Sequence, residues 1–259
     1  MNHKIVALAA VAHPDDIEFM MAGTLLLLKQ QGVEIHLWNL CNGSCGSASL
    51  SAQEIAAIRW EEAQNAAKVA GGIAHPPLFD DLGAYYDAPS LARVGSVIRE
   101  INPNIILTHS PQDYMEDHQN VCRLIVTAAF SRGMKNFTTH PPQEPSSTEV
   151  ALYHALPHGL NDSLRTPIQP HFLINIASVI EQKKEMLVQH KSQKEWLDIT
   201  QGMSAYELEM ERMSQAVGKI SGSFSVAEGW RRHSHLGFAS ETYNPLQTLL
   251  KENYASTPQ

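Results

Sequence analysis

An imidazole and two carboxylates directly follow the first apolar run of the sequence. This run begins at Val6, has the length of a strand, and ends in His13-Pro14-Asp15-Asp16, after which a helical pattern starts. In open α/β sheets, ligands bind in the crevice beyond the carboxyl ends of the strands. Pro14 fixes its own φ and favours extended backbone at the residue before it. The turn is therefore stiff and can present its side chains to a metal ion in a preset geometry.

A structural explanation of this turn accounts for only part of it. Aspartate is a favoured N-cap residue because its side chain accepts a hydrogen bond from a free backbone N–H. One carboxylate is enough for that purpose, and a cap explains neither His13 nor the second aspartate. We therefore interpret the turn as part of a functional site.

A second polar loop follows another predicted strand, 104–108, and ends at His118. A catalytic zinc ion usually takes three nitrogen or oxygen ligands and keeps one position open for water. His13 and Asp16 from the first turn could form such a set with His118. Asp15 would then remain free as a base, because a carboxylate that binds the metal is not free to accept a proton.

Strand-like and helix-like segments alternate along the chain, which predicts βαβ units and a parallel sheet. The sequence predicts helices at 17–31, 52–70, 89–101, 118–132, 178–191 and 204–218, and further strands at 34–40, 76–80, 104–108, 150–155 and 172–176. The remainder, 221–259, is expected to be an irregular tail.

Composition limits the classes of partner and compartment. The 259 residues contain 43% hydrophobic residues and carry a formal net charge of -8, which disfavours a nucleic-acid partner. The sequence has no apolar run of membrane-spanning length and no signal-peptide pattern at its start. Its three cysteines are expected to be reduced. We therefore expect a cytoplasmic protein that acts on a small molecule and contacts neither nucleic acid nor membrane.

The segment from Ala12 to Glu18 resembles the first motif, Ala-His-Pro-Asp-Asp-x-Glu, of the PIG-L/LmbE family of zinc-dependent deacetylases. These enzymes remove N-acetyl groups from glucosamine-containing molecules. Further matches to family motifs lie downstream: Arg59 with Glu62, Asp117 with His118, and His190 with Ser192 and Gln193. The resemblance covers roughly residues 4 to 195.

The resemblance implies a Rossmann-like α/β fold, in which helices flank a mostly parallel sheet. It implies one domain over 1–259, with a family core at about 4–195 and a C-terminal extension at about 196–259. Members of the family often assemble as trimers or hexamers, so the same analogy implies a homo-oligomer.

The resemblance also implies a role for individual residues. His13, Asp16 and His118 would bind zinc, although another divalent transition metal could occupy such a site. Asp15 would be the general base that accepts a proton from water. Arg59 would contact hydroxyl or phosphate groups of the substrate, and Asp81 would contact the sugar.

The chain departs from the family pattern at Met115. Many members carry a histidine at this position, three residues before the last ligand, where it is thought to stabilise the oxyanion. A thioether cannot donate a hydrogen bond, and loss of one oxyanion donor costs about 100- to 1,000-fold in rate. The candidates for its replacement are Tyr114, His109, His233 and His235. We assign the role to the catalytic candidate His235, because His-Ser-His beside two arginines is unusual for a solvated tail.

The function that these features predict is removal of an N-acetyl group from an N-acetylglucosamine-type amino sugar or its conjugate by a zinc-dependent hydrolase. One alternative is a carbohydrate-binding relative with little or no activity, which Met115 favours and the intact Asp15 opposes. Another is an amidase or deacylase that acts on an N-acyl substrate other than a sugar. The sequence does not identify the substrate itself.

Overall fold

The computed structural model describes residues 4–193 and 206–257, whose eight strands form one mixed sheet. The order across the sheet is β3-β2-β1-β4-β5-β7-β6-β8. The first five strands of this order are parallel, whereas β7 runs antiparallel to β5 and β6, and β8 runs antiparallel to β6. The strands are β1 Val6–Val11, β2 Glu34–Asn39, β3 Ile73–His75, β4 Ile105–Thr108, β5 Ala151–Ala155, β6 Phe172–Asn175, β7 Ala227–Arg232 and β8 Tyr254–Ser256.

Helices cover both faces of the sheet. They are α1 Asp16–Met20, α2 Ala22–Gln30, α3 Ala52–Ala70, α4 Ala88–Ile101, α5 Glu116–Ser131, α6 Ile180–Leu187, α7 Tyr206–Ser221 and α8 Pro245–Leu249. Successive side chains of a strand point to opposite faces, so β1 contributes Ala7 and Ala9 to one core and Leu8 and Ala10 to the other. The first core includes residues of α1, α2, α6 and α7, and the second includes residues of α4 and α5. The expected α/β fold with a mostly parallel sheet is confirmed.

The strand order determines where a ligand can bind. From β1 the chain moves to β2 and β3 on one side, and it then returns to place β4 on the other side of β1. Ligands in open α/β sheets bind at such a point, beyond the carboxyl ends of the strands. The turn 13–16 follows β1 and the loop 109–118 follows β4, so the topology brings the two polar loops together.

The long helix predicted after β1 is interrupted at Met21, whose φ of −147° is not helical. The interruption leaves backbone N–H groups at the start of α2 without intrahelical partners. The carboxylate of Glu228 on β7 accepts hydrogen bonds from the N–H groups of Gly23 (2.8 Å) and Thr24 (2.7 Å). A side chain about 200 residues away in the sequence therefore caps this helix.

The prediction of an irregular tail is wrong. Residues 227–232 form β7, which is inserted between β5 and β6, and 254–256 form the edge strand β8. Alternation of polar and apolar residues does not reveal β7, because its polar residues are buried against specific partners. Trp230, for example, is fully buried and donates from Nε1 to the hydroxyl of Thr24 (3.0 Å). The expected C-terminal extension thus completes the sheet of the core.

A buried ion pair joins this last part of the chain to the rest. Lys183 Nζ lies 2.7 Å from Glu228 Oε1, and the two side chains are 0% and 2% exposed. Lys183 also donates to the carbonyl oxygen of Phe19 (3.1 Å). Removal of one partner from a buried pair leaves an uncompensated charge in a region of low dielectric constant.

Within the ranges 4–193 and 206–257, none of the helices combines the length and the apolarity that crossing a membrane requires.

We expect Lys183→Met to lower the free energy of unfolding by about 3–5 kcal/mol, because it leaves the buried carboxylate of Glu228 without its countercharge. Denaturant titration measures this loss. The control is Lys184→Met, which removes surface pairs with Glu181 and Glu211 and should cost at most about 1 kcal/mol. Equal losses in the two variants would contradict the structural role of the buried pair.

Candidate metal centre and active site

The turn after β1 directs its two aspartates to different neighbours. Asp16 accepts a hydrogen bond from the backbone N–H of His13 (2.7 Å), and Asn39 donates from its side chain to the carbonyl oxygen of His13 (2.6 Å). Asp15 has a φ of 98°, in the left-handed region that residues other than glycine rarely adopt. This backbone conformation separates the carboxylates, so that Asp16 faces the histidines and Asp15 does not.

Three side chains converge as a candidate metal site. His13, Asp16 and His118 each offer one ligand atom, and these atoms lie within 4.8 Å of one another. Asp16 Oδ2 is 3.6 Å from His13 Nδ1 and 3.4 Å from His118 Nε2. Charge-assisted hydrogen bonds are shorter, about 2.7–2.9 Å. Nitrogen and oxygen donors that converge without bonding one another directly suit a shared cation, so the residues present fit the metal that the sequence implies.

A second carboxylate holds each of the two imidazoles from the other side. Asp117 Oδ2 lies 3.1 Å from His13 Nε2, and Asp113 Oδ1 lies 3.0 Å from His118 Nδ1. Such partners fix the tautomer and the orientation of a metal-binding histidine and make it a stronger ligand. This role of Asp113 and Asp117 was not predicted from the sequence. The only signal in the sequence was their position close to His118.

The carboxylates around His13 and His118 favour positive charge at this site. Burial lowers the pKa of His13, yet its hydrogen bond to Asp117 and the nearby carboxylate of Asp16 outweigh burial and raise the pKa to about 9. Burial likewise opposes protonation of His118, but the charge of Asp16 and the hydrogen bond to Asp113 raise its pKa to about 10. Burial raises the pKa of Asp16, and the neighbouring histidines nevertheless hold it well below its usual range. A metal cation would replace the protons that the histidines otherwise hold.

Two overlapping groups also have metal-ligand spacing: His13 with Cys41 and Asp117, and His109 with Asp113 and His118. Cys41 and His109 are fully buried and do not line the neighbouring cavity. Burial raises the pKa of the Cys41 thiol, and His109 Nε2 already accepts the backbone N–H of Ala12 (2.8 Å). The group of His13, Asp16 and His118 is therefore the one whose members all face open space.

A cavity of about 430 Å³ lies directly over this group, at the carboxyl ends of β1 and β4. Apolar side chains, including Phe19, Met20 and Met115, form part of its wall. Asp81 and Arg59 contribute polar atoms to the lining. The volume lies within the range typical of small-molecule sites.

Asp15 also lines the cavity but stands outside the metal-ligand group. Its Oδ2 accepts a hydrogen bond of 2.5 Å from the hydroxyl of Tyr206, and its Oδ1 lies 3.9 Å from Arg59 Nη2. Burial raises the pKa of the Asp15 carboxyl, although the positive charge of Arg59 opposes that shift. Tyr206, the first residue of α7, was not predicted from the sequence because nothing local relates it to Asp15.

The two predicted substrate-binding residues lie at the cavity but have structural contacts of their own. Arg59 is 3% exposed and donates to the carbonyl oxygen of Pro14 (2.6 Å). Gly43 packs directly on it: a Cβ at this glycine would lie 2.4 Å from Arg59 Cδ, and its φ is +77°. Asp81 accepts hydrogen bonds from the backbone N–H groups of Gly43 (2.7 Å) and Cys45 (3.0 Å). Contact of Arg59 and Asp81 with substrate stays a prediction.

The structure does not bring His235 to the cavity, which corrects the role predicted for it. Because β7 is antiparallel to β5, Arg232 lies opposite Tyr153, and the N–H of His233 donates to the carbonyl oxygen of Leu152. The chain after β7 thus continues toward the amino end of β5, away from the carboxyl ends where the cavity lies. Among the four candidate donors Tyr114, His109, His233 and His235, Tyr114 is the one that lines the cavity in the described part of the chain.

Comparison with known proteins agrees with this geometry. The model of the PIG-L family, described as GlcNAc-PI de-N-acetylase, matches residues 8–129, a span that contains His13, Asp16 and His118. Over this span, which is just under half of its length, the chain is similar to the PIG-L family. The resemblance inferred from the sequence motifs is thereby confirmed.

The proteins to which the chain is similar have different activities. Diacetylchitobiose deacetylase of Thermococcus kodakarensis is 27% identical over 191 residues, which cover 70% of this chain and 67% of the relative. 4-Oxalmesaconate hydratase of Pseudomonas putida is also 27% identical, over 68% of this chain and 69% of the relative. The solved N,N'-diacetylchitobiose deacetylase of Pyrococcus horikoshii has 20% identity and a TM-score of 0.73, with 94% of this chain and 88% of that chain covered. These relatives include deacetylases and a hydratase, so similarity alone does not decide the reaction.

We expect Asp113→Ala to weaken zinc binding about 10- to 100-fold, because His118 loses the carboxylate that orients it. Competition with a chromogenic chelator measures the affinity, and Asp113→Asn, which keeps a neutral acceptor, should fall between the wild type and the alanine variant. Glu116→Gln is the control, since this exposed carboxylate lies on the same helix outside the metal-ligand group. Unchanged zinc affinity in Asp113→Ala would contradict the orienting role.

Proposed function

We propose that the protein is a zinc-dependent hydrolase that removes an N-acetyl group from an amino sugar or an amino-sugar conjugate. The observation that carries the proposal is the position of Asp15. This buried carboxylate lies beside the candidate metal group, is not part of it, and lines the cavity. A protein that only binds carbohydrate has little need of a free base at that position.

The residues that would hold the metal are His13, Asp16 and His118. Two imidazoles and a carboxylate are typical of catalytic zinc sites that keep a position open, and other divalent transition metals can occupy such a set. When bound, zinc would supply Lewis-acid polarisation of a carbonyl group and would lower the pKa of water to about 7.

Asp15 would move the proton in this reaction. As the oxygen of water forms a bond to the carbonyl carbon of the acetamide, Asp15 accepts the proton from that water. The carbon–nitrogen bond then breaks, and the proton passes to the departing amine, so the products are acetate and the free amino sugar. Tyr206 occupies Asp15 Oδ2, which leaves Oδ1 for the water. The raised pKa of Asp15 suits a group that must accept and return a proton near neutral pH.

The charges around the cavity favour a substrate without negative charge. Asp15, Asp16, Asp81 and Asp117 line it, whereas Arg59 is the one arginine or lysine in the described lining and is almost fully buried. An N-acetylated sugar is neutral, and its hydroxyl groups can donate hydrogen bonds to carboxylates. This arrangement supports the amino-sugar substrate class. It is also compatible with an N-acyl substrate other than a sugar.

The second candidate function is hydration of a carbon–carbon double bond. Met115 favours it, because the imidazole that many family deacetylases carry at this position is missing, and a hydratase is among the relatives. The carboxylates around the cavity oppose it, since 4-oxalmesaconate, the substrate in that relative's name, is itself an anion. We therefore rank hydration below deacetylation.

We expect Asp15→Asn to lower the rate of acetate release about 100- to 10,000-fold, the usual contribution of a general acid–base group, and to keep the metal. The substrate panel contains N-acetylglucosamine, diacetylchitobiose, an N-acetylated amino acid and 4-oxalmesaconate. Acetate release, loss of the double bond and metal content are measured for the wild type and the variant. Glu116→Gln again provides the control and should retain full activity.

Each outcome of the panel has a separate meaning. Acetate release from the sugars alone supports the proposed function, whereas release from the amino acid alone indicates a different deacylase. Loss of the double bond without acetate release would establish the hydratase instead. Activity that survives complete removal of metal by a chelator would contradict a metal-dependent mechanism.

A further inference from the structure

A deacetylase of this kind needs a second hydrogen-bond donor, besides the metal, at the acetamide oxygen. As the carbonyl carbon becomes tetrahedral, its oxygen gains negative charge, and a donor already in position stabilises that charge. Met115 occupies the place of the family histidine, and its thioether has no hydrogen to donate. This requirement rests on the proposed function, whereas the candidate donors follow from the structure.

Three of the other polar side chains near the metal group are already engaged. His13 and His118 each direct one ring nitrogen toward Asp16 and the other toward a carboxylate. Arg59 donates to the carbonyl oxygen of Pro14 and is almost fully buried. Neither the two histidines nor the arginine can turn toward a new oxygen without breaking these contacts.

Tyr114 is free to donate. It lines the cavity and is 50% exposed, and its hydroxyl has no hydrogen-bond partner within 4–193 and 206–257. Its ring packs against the ring of His118 at a centroid distance of 5.6 Å and an interplanar angle of 76°. The tyrosine thus stands beside a candidate metal ligand in the wall of the cavity, which makes its hydroxyl a candidate donor to an oxygen bound beside the metal.

Hydrogen bonds on both sides of Tyr114 fix its position relative to the metal group. Asp113 Oδ1 accepts hydrogen bonds from the backbone N–H of Met115 (3.2 Å) and from His118 Nδ1 (3.0 Å). The carbonyl oxygen of Asp113 accepts a further bond from the side chain of Gln119 (2.7 Å). The residues before and after Tyr114 are thus tied to the first turn of α5, which carries His118. A donor positioned in this way requires little reorganisation during the reaction.

We propose that the Tyr114 hydroxyl donates the hydrogen bond that stabilises the acetamide oxygen as it gains charge, in place of the imidazole that Met115 lacks. A phenol has an ordinary pKa near 10, so it remains protonated at neutral pH. Tyr114 would then be a catalytic residue that contacts the substrate only where the negative charge develops.

Tyr114→Phe tests this role, because it removes one hydroxyl and keeps the ring that packs on His118. We expect kcat for acetate release to fall about 100-fold, in the range for the loss of one oxyanion donor, while KM changes less than about threefold because the donor acts in the transition state. Zinc content should equal that of the wild type. The comparison variant is His158→Gln, which changes a neighbouring imidazole that also lines the cavity. The ring of His158 lies 6.3 Å from that of Tyr114 and 5.2 Å from that of Phe19.

A double-mutant cycle with Met115→His makes the test specific. The added imidazole stands where many relatives carry theirs, so it should raise the kcat of Tyr114→Phe at least about 10-fold and change that of the wild type much less. Such non-additivity indicates that two side chains supply the same interaction. Additive effects of the two substitutions would overturn the proposal.

A binding measurement provides a readout that does not depend on turnover. A methylphosphonamide of glucosamine places a charged tetrahedral oxygen where the acetamide oxygen would develop its charge. Tyr114→Phe should weaken binding of this analogue by about the same factor as kcat, and it should leave binding of glucosamine unchanged.

Failure of the inference can be distinguished from failure of the proposed function. If the wild type releases acetate and Tyr114→Phe keeps its kcat, the assignment to Tyr114 is overturned and the deacetylase stands. If only His158→Gln loses kcat, the donor is His158. A loss of zinc in Tyr114→Phe would show that the tyrosine supports the metal site rather than the oxyanion. A wild type that releases no acetate from any N-acetylated substrate would overturn both.

Discussion

The arrangement of the site depends on the interactions of one buried carboxylate, that of Glu228. It caps the start of α2, forms an ion pair with Lys183, and accepts a bond of 2.6 Å from the hydroxyl of Thr24. The interruption that this cap stabilises lies directly after α1, the short helix that begins at Asp16. A strand from the end of the sequence therefore holds the turn that carries His13 and both aspartates. Burial makes the contact strong, since a buried charge without its partner is costly.

The site divides similar carboxylates among different tasks. Asp15 and Asp16 are neighbours in the sequence, yet the left-handed backbone at Asp15 separates them. Asp16 faces three histidines, which hold its pKa low, whereas Asp15 contacts Tyr206 and has a raised pKa. Pairs of titratable groups whose surroundings push their pKa values apart are typical of sites with acid and base roles. The contrast follows from the backbone of one turn and not from residue type.

The sequence predicted the features that local chemistry determines. Helix 52–70 was predicted at the bounds the structure has. Both ends are determined locally: Ser51 and Glu54 form a capping box, and Gly71 ends the helix in a left-handed conformation. The motif around His13 gave the residues that the structure gathers into one metal-ligand group. The features it did not predict depend on distant partners: β7 requires Lys183 for its glutamate, and Tyr206 meets Asp15 across 191 positions. His235 was misplaced because the direction of β7, which carries the chain away from the cavity, is a property of the sheet.

The loop before α5 shows how one scaffold can hold a metal and still vary its chemistry. Asp113 binds His118 and the backbone at Met115, so the position of the metal ligand does not depend on the side chain at 115. That side chain makes no capping hydrogen bond to the helix, and it lines the cavity. Residue 115 can therefore change from an imidazole to a thioether while the ligand beside it stays in place. The relatives of this chain include deacetylases and a hydratase. A substitution at residue 115 can change the hydrogen-bond donors that face a substrate while the side chains that would hold the metal stay the same.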